Sequence, residues 1–166
     1  MPLTSRAGVD RRRSTATGTG TLAALVLVAV CGSSGYARWA ERSTDPNSAG
    51  GWFLRLLAWP TWRLDSSAPL ETLFTDGLRA LLLIVLTGVL LYLLPGPQSA
   101  PASGLLSQFF SGWGAYVFAA GFAAVLATLF GDDPSLFAAF QAAGTGAGYG
   151  FFAGWVVGIA SLGGRA

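Results

Sequence analysis

Long uncharged segments dominate the second half of this chain of 166 residues. No charged side chain occurs between Ala80 and Gly131, and after the pair Asp132 and Asp133 none occurs until Arg165. A helix needs roughly 20 apolar residues to cross the hydrocarbon core of a bilayer. The pattern therefore predicts three transmembrane helices, over about 77–94, 105–130 and 135–162.

An earlier apolar segment, 19–37, has two interpretations. It is long enough to be a first transmembrane helix, but its strongly apolar part, 22–30, has the length of the core of a signal peptide. Gly35 and Ala37 supply small residues at the two positions that a signal peptidase inspects. Residues 1–18 are polar and basic, so we expect a disordered arm before this segment.

Residues 38–76 form a predicted polar linker that contains a tryptophan-rich segment, 51–63. Trp52 and Trp59 share a face at helical spacing, and Trp62 follows. Tryptophan and arginine together suit the headgroup layer of a bilayer, so these three side chains are candidate interfacial anchors. The alternative is that the tryptophans pack on the other helices as a lid.

Small residues recur at every fourth position in the last two predicted spans. Such spacing lets helices approach closely in lipid, where burying leucine against leucine gains little. Each step of four turns about 400° around a helix, so the stripes drift as in a right-handed crossing. We expect the two spans to pack backbone to backbone along part of their length, with Phe140, Tyr149, Phe152 and Trp155 on the opposite side. The packing candidates are Ala115, Ala119, Ala123 and Ala127 in the first span, and Ala142, Gly146, Gly150, Gly154 and Gly158 in the second.

The connection between these two spans is short. Gly131 is suited to end the first helix, and Asp133 with Pro134 is suited to begin the next. A tight αα-hairpin is therefore expected. The predicted fold class is an all-α integral membrane protein, a small bundle of four transmembrane helices in which the first is either retained or cleaved as a signal peptide.

Composition argues against most catalytic chemistry. Only 11% of the residues are charged, against about 25% in soluble domains. There is no histidine, and the single cysteine, Cys31, cannot form an intramolecular disulfide or a multi-cysteine metal site. No nucleophile and base can be paired, so we expect no enzyme, no cofactor, no metal and no small-molecule ligand. A net charge of +2 is too small to predict nucleic-acid binding.

Arginines set the expected topology. Arg11, Arg12 and Arg13 lie just before the first apolar segment, and basic residues there tend to remain cytoplasmic. Both termini would then be cytoplasmic and residues 38–76 outside, although arginines in that linker leave the reverse orientation open. All ten basic residues are arginine, a bias typical of GC-rich bacterial genes, so the expected location is the bacterial inner (cell) membrane.

Small-residue stripes without visible chemistry favour an accessory or assembly subunit that acts through helix–helix packing. Its partners would be the lipid bilayer and either other membrane proteins or a second copy of itself. The alternative is a small channel or transporter subunit. Thr87, Gln108, Gln141 and the glycine face of the last span would then line its path.

Overall fold

The computed structural model describes residues 3–62, 70–94, 104–131 and 134–163, with side chains from residue 17 onward except at 71 and 72. The described residues form six helices and no strand. Three segments are long and apolar enough to cross a membrane, namely Leu73–Leu93, Leu105–Leu129 and Leu136–Leu162. An all-helical protein with several candidate membrane spans is therefore confirmed. The helices are α1 (Leu3–Cys31), α2 (Ser34–Ser43), α3 (Ala49–Leu57), α4 (Leu70–Leu93), α5 (Leu105–Leu129) and α6 (Leu136–Leu162).

Serine hydroxyls fix where three of these helices begin. Each accepts a hydrogen bond from a first-turn amide that has no partner inside the helix. Ser135 caps α6 in this way, where the sequence had pointed to Asp133, which lies outside the described residues. The three pairs are Ser33 with the amide of Tyr36, Ser48 with that of Gly51, and Ser135 with that of Ala138.

Two helices begin earlier than expected. α1 starts at Leu3, where we had expected disorder over 1–18, because arginine and alanine are good helix formers and no proline follows until after the helix ends. α4 starts at Leu70, inside the region 38–76 expected to be a linker, because residues 70–93 also lack proline. The apolar part of α1, Thr17–Cys31, is shorter than the three candidate spans.

α4, α5, α6 and α1 pack around one core. α5 and α6 are antiparallel, since Gln108 at the start of α5 meets Ser161 at the end of α6. α4 packs on α5, and α1 packs on both α4 and α6. The buried cluster takes side chains from all four helices, among them Val28, Leu83 and Tyr149.

The start of the α1 apolar segment lies at the same end of the bundle as the end of α6. A Cβ on Gly20 of α1 would contact Leu91 of α4 and Ser161 of α6. At the opposite end, Gly131 after α5 lies close to Thr75 of α4. The chain therefore crosses the bundle along α4, returns along α5 and crosses again along α6.

Residues 58–62 fold back onto the end of α1. The amide of Trp62 donates to the carbonyl O of Gly32 at 2.9 Å, and its Nε1 donates to the carbonyl O of Val28 at 3.1 Å. The carbonyl O of Val28 also accepts from the amide of Gly32, at 2.9 Å. The two bonds from Trp62, here called the Trp62 clasp, therefore tie residues 58–62 to the end of α1. A Cβ on Gly32 would collide with the carbonyl of Pro60, so this crossing requires glycine.

α2 and α3 are joined by hydrogen bonds from side chains to backbone. The guanidinium of Arg55 donates to the carbonyl oxygens of Glu41 and Thr44, at 2.9 and 2.8 Å. The Tyr36 hydroxyl donates to the carbonyl O of Leu54 at 3.0 Å. Burial raises the pKa of Tyr36, with a further increase from nearby Cys31, so this hydroxyl remains a donor at neutral pH.

Candidate functional site

Glycines at every fourth position of α6 bring its backbone against α5. A Cβ on Gly150 would lie 2.7 Å from the Cα of Val117, and a Cβ on Gly158 would lie 3.0 Å from the carbonyl O of Phe109. Both neighbours are backbone atoms and cannot rotate away. The two helices are thus in backbone contact over four successive members of the row. These contacts join Gly146 to Ala120, Gly150 to Val117, Gly154 to Trp113 and Gly158 to Phe109.

α5 meets the glycine row with a face that the sequence analysis did not single out. Ala120 and Ala124, which are themselves four residues apart, are the alanines against Gly146. The expected stripe of Ala115, Ala119, Ala123 and Ala127 is also fully enclosed, at 0% exposure. Its middle members belong to the same cluster as Leu83 of α4, and α4 also packs on α5. α5 therefore has small residues on two faces. Ala142 of the α6 series is only half-buried.

Polar side chains join α5 to α6 at one end of this interface. Gln108 Nε2 donates to the carbonyl O of Ser161 at 2.5 Å, and Ser161 Oγ donates to the carbonyl O of Gln108 at 3.4 Å. Trp113 Nε1 donates to the carbonyl O of Phe151 at 2.8 Å. In a bilayer such interhelical bonds add a modest stabilisation to close packing.

A pair of tyrosines lies at the centre of the interface. The hydroxyl oxygens of Tyr116 and Tyr149 are 2.9 Å apart, and both residues have 0% exposure. Tyr149 had been expected on the outer side of α6 with Phe140, and that expectation is wrong. Its hydroxyl needs a partner when buried, and Tyr116 supplies that partner from the facing helix.

The three tryptophans named as interfacial anchors each contact another helix. Trp52 meets Phe152 of α6 edge to face, with ring centroids 5.0 Å apart. Trp59 stacks on Tyr149 at 5.0 Å, and Trp62 forms the clasp at the end of α1. These are the contacts expected of a lid. Their position relative to a membrane surface stays a prediction.

α1 approaches its neighbours through small residues as well. A Cβ on Gly20 would lie 2.7 Å from a methyl carbon of Leu91, and one on Gly88 of α4 would lie 3.3 Å from the hydroxyl of Thr21. Gly20 and Ala24 are four residues apart, so the sequence carried a small-residue signal here too. α1 ends at Cys31, which packs against the core cluster that contains Tyr149.

α6 contacts α1 near its end, where a Cβ on Gly20 of α1 would meet Val157 and Ser161, and a series of α6 residues passes from buried to exposed towards the other end. Its members are four residues apart: Ser161, Val157, Ala153 and Tyr149 are buried, whereas Thr145 and Gln141 are exposed. Gly144 and Gly148 lie beside them, and a Cβ on either would meet nothing within 4 Å. We call Gln141, Gly144, Thr145 and Gly148 the open face of α6.

The polar residues proposed to line a transport path have separate environments. The Thr87 hydroxyl is buried and donates to the carbonyl O of Leu83 one turn earlier, at 2.6 Å. Gln108 bonds to Ser161 at one end of α6, and Gln141 lies on the open face towards the other end. Within the described part of the chain, no hydrogen bond joins any two of the three.

The arginines that set the predicted topology lie outside the part of the structure that describes side chains. The backbone of Arg11, Arg12 and Arg13 belongs to α1, at the end of the bundle where α6 also ends. Asp132, beside the predicted hairpin turn, is likewise outside the described residues. The orientation of the bundle in a membrane therefore stays a prediction.

Among the described residues, Asp76 and Arg79 are the charged side chains of the three candidate spans. Arg79 NH1 lies 3.5 Å from an oxygen of Asp76, one turn earlier in α4. The guanidinium carbon lies 5.6 Å from the centre of the Trp59 ring, which stacks on Tyr149 in turn. No pattern in the sequence connected this pair to a tryptophan.

Comparison with protein-family models, with curated proteins and with solved structures finds no match to this chain. We therefore infer its function from the geometry of its helices.

Proposed function

We propose that this chain is a four-span membrane protein that acts as an accessory or assembly subunit, by binding a transmembrane helix of another protein on the open face of α6. In this proposal α1 is the first span and is retained, and α5 and α6 form a tight hairpin. Both termini are cytoplasmic, in the inner membrane of a bacterium, with the turn at Asp132 on the other side.

The contacts of α1 with the rest of the bundle support its retention, because cleavage would remove them. Ala24 and Val28 belong to the buried core cluster, and the Trp62 clasp is made to the carbonyls of Val28 and Gly32. Cleavage after Ala37 would cut within α2 and expose this core surface. The intact mass of the mature protein tests this point directly, since loss of residues 1–37 would contradict it.

The observation that carries the proposed function is the pair of exposed polar side chains, Gln141 and Thr145, on the part of α6 away from its contacts with the start of the α1 apolar segment. The apolar segment Thr17–Cys31 measures about 22 Å at the helical rise, less than the hydrocarbon core of about 30 Å. This segment is also shorter than α6, and Thr145 and Gln141 remain exposed. A partner helix placed there would bury these two polar side chains.

The chemistry of the open face suits a helix rather than lipid alone. Lipid chains offer no hydrogen-bond partner, so an amide at Gln141 gains from a polar group on a neighbouring helix. The Thr145 hydroxyl donates to the carbonyl of Gln141, at 3.2 Å. Gly144 and Gly148 present bare backbone, which permits close approach. An adjacent helix could therefore hydrogen-bond to the amide of Gln141 and pack closely against the two glycines.

Site-specific photocrosslinking in native membranes tests the proposal. A benzophenone amino acid replaces Thr145 in one variant and Phe122 in the control, since Phe122 is exposed on the surface of α5. We expect a crosslink from position 145 to one other membrane protein, and only lipid adducts from position 122. Crosslinking between two copies of this chain, or no protein adduct from position 145, would contradict a role as an accessory subunit.

A bulky substitution on the open face provides a second test of the proposal. Gly148→Leu fills the open face, and Gly114→Leu is the matched control because a Cβ on Gly114 also meets nothing within 4 Å. We expect Gly148→Leu to abolish the crosslink from position 145 and Gly114→Leu to leave it intact. Equal crosslinking in the two variants would show that the partner lies elsewhere.

A further inference from the structure

Arg79 lies within a segment that can span a membrane. It is six residues after Leu73 in the candidate span Leu73–Leu93, about 9 Å along the helix axis. A charged side chain at such depth is costly, and membrane proteins keep one there mainly where it binds something. A long arginine side chain can also reach from this depth towards the headgroup layer.

The described residues satisfy little of this guanidinium. Arginine carries five N–H donors, and the hydrogen bond found for Arg79 among them goes to Asp76 at 3.5 Å, the outer limit of such a bond. Its Nε is enclosed and has no hydrogen-bond partner among the described atoms. The guanidinium thus has donors that no described residue is found to bind.

Trp59 holds the guanidinium in place. The guanidinium carbon lies 5.6 Å from the ring centre, within the range of a cation–π interaction. Trp59 is itself fixed by stacking on Tyr149. The side chains of Arg79 and Asp76 keep 24% and 19% of their surface exposed, so neither is fully enclosed by the bundle.

We propose that Arg79 and Asp76 bind the headgroup of an amine-bearing phospholipid beside Trp59. The lipid phosphate accepts hydrogen bonds from the terminal nitrogens of Arg79, which match phosphate geometry well. The ammonium group of the same headgroup donates to Asp76. The pair carries no net charge, and this favours a zwitterionic headgroup over a purely anionic one, since the Asp76 carboxylate repels an unpaired phosphate.

This site is independent of the open face of α6. The open face is formed by residues 141–148, whereas the headgroup site is formed by α4 and by the segment that follows α3. Loss of lipid binding would leave the crosslink from position 145 unaffected, so the two proposals fail separately.

The experiment is a lipid titration of the full chain in detergent, read by native mass spectrometry. Phosphatidylethanolamine and phosphatidylglycerol with identical acyl chains are compared on the wild-type protein. We expect the ethanolamine lipid to bind more tightly. Equal binding of the two lipids, or preference for phosphatidylglycerol, would overturn the proposal without any variant being needed.

Variants then locate the site. We expect Arg79→Gln to weaken ethanolamine-lipid binding at least about tenfold, as loss of a charge-assisted hydrogen bond implies. Arg38→Gln is the matched control, since Arg38 is exposed on α2, and it should change binding little. Asp76→Asn should remove the preference between the two lipids. An unchanged affinity in Arg79→Gln, or an equal loss in Arg38→Gln, would contradict the assignment.

Soluble phosphoethanolamine separates a lipid site from a phosphate site. It carries the same phosphate and ammonium groups without acyl chains. We expect millimolar phosphoethanolamine to leave the bound lipid in place, because the acyl chains contribute to its affinity. Displacement of the lipid by phosphoethanolamine would show that the site recognises a free phosphate compound, and the lipid proposal would fail.

Discussion

Adding one methyl group at Gly150 tests whether α5 and α6 are in backbone contact. A Cβ at this position would lie 2.7 Å from the Cα of Val117 and 3.1 Å from both the carbonyl O of Tyr116 and the Cβ of Ala120. Two of these three neighbours are backbone atoms, so the contact cannot be relieved by a rotamer change. Gly150→Ala must therefore push the helices apart.

The size of the effect follows from a matched control. Alanine is the better helix former by up to about 1 kcal/mol, and this gain applies to Gly150→Ala and equally to Gly114→Ala in α5. Gly114 has open space around its position. The difference between the two variants then isolates the overpacking cost, which is about 1–3 kcal/mol in a packed core.

Reversible unfolding in mixed micelles, followed by far-ultraviolet circular dichroism, measures this difference. We expect the free energy of unfolding to be lower in Gly150→Ala than in Gly114→Ala by about 1–3 kcal/mol. Equal stability of the two variants, or a more stable Gly150→Ala, would refute the inference that the glycine row holds the two backbones together.

Three further outcomes follow from the packing. In a double-mutant cycle, Tyr116→Phe and Tyr149→Phe should each cost about 1–3 kcal/mol, because each leaves one buried hydroxyl unpaired, and the double variant should cost less than their sum. Trp62→Phe removes the indole donor from the end of α1, and limited proteolysis should then cut faster between α2 and α4. Gly20→Ala should cost less than Gly150→Ala in the same unfolding assay, because the atom 2.7 Å from its Cβ is the tip of a flexible leucine side chain.

Apolar length was enough to locate the long helices. α5 and α6 begin and end within a residue of the predicted bounds of about 105–130 and 135–162. A long uncharged apolar segment predicts one helix of the length needed to cross a bilayer. The start of α1 was not predicted, because the basic charge of residues 1–18 was given more weight than their helix propensity. The early start of α4 was missed because polar residues at its first turns resembled a linker.

Which face of a helix meets which neighbour was harder to predict. Spacing by four identified the glycine row of α6, but α5 has two alanine rows, and only one had been singled out. The row through Ala120 meets α6, and a period of four cannot by itself distinguish the two. The link from Arg79 to Trp59 joins residues far apart in the chain, so no local pattern could have revealed it.

Translation order gives the Trp62 clasp a consequence for biogenesis. The indole that meets the carbonyl of Val28 is synthesised 34 residues later. That carbonyl already accepts from the amide of Gly32, whereas the carbonyl of Gly32 accepts from the amide of Trp62. In a setting with little water an open carbonyl is expensive, so the end of α1 reaches its final hydrogen bonding only after Trp62 has been synthesised.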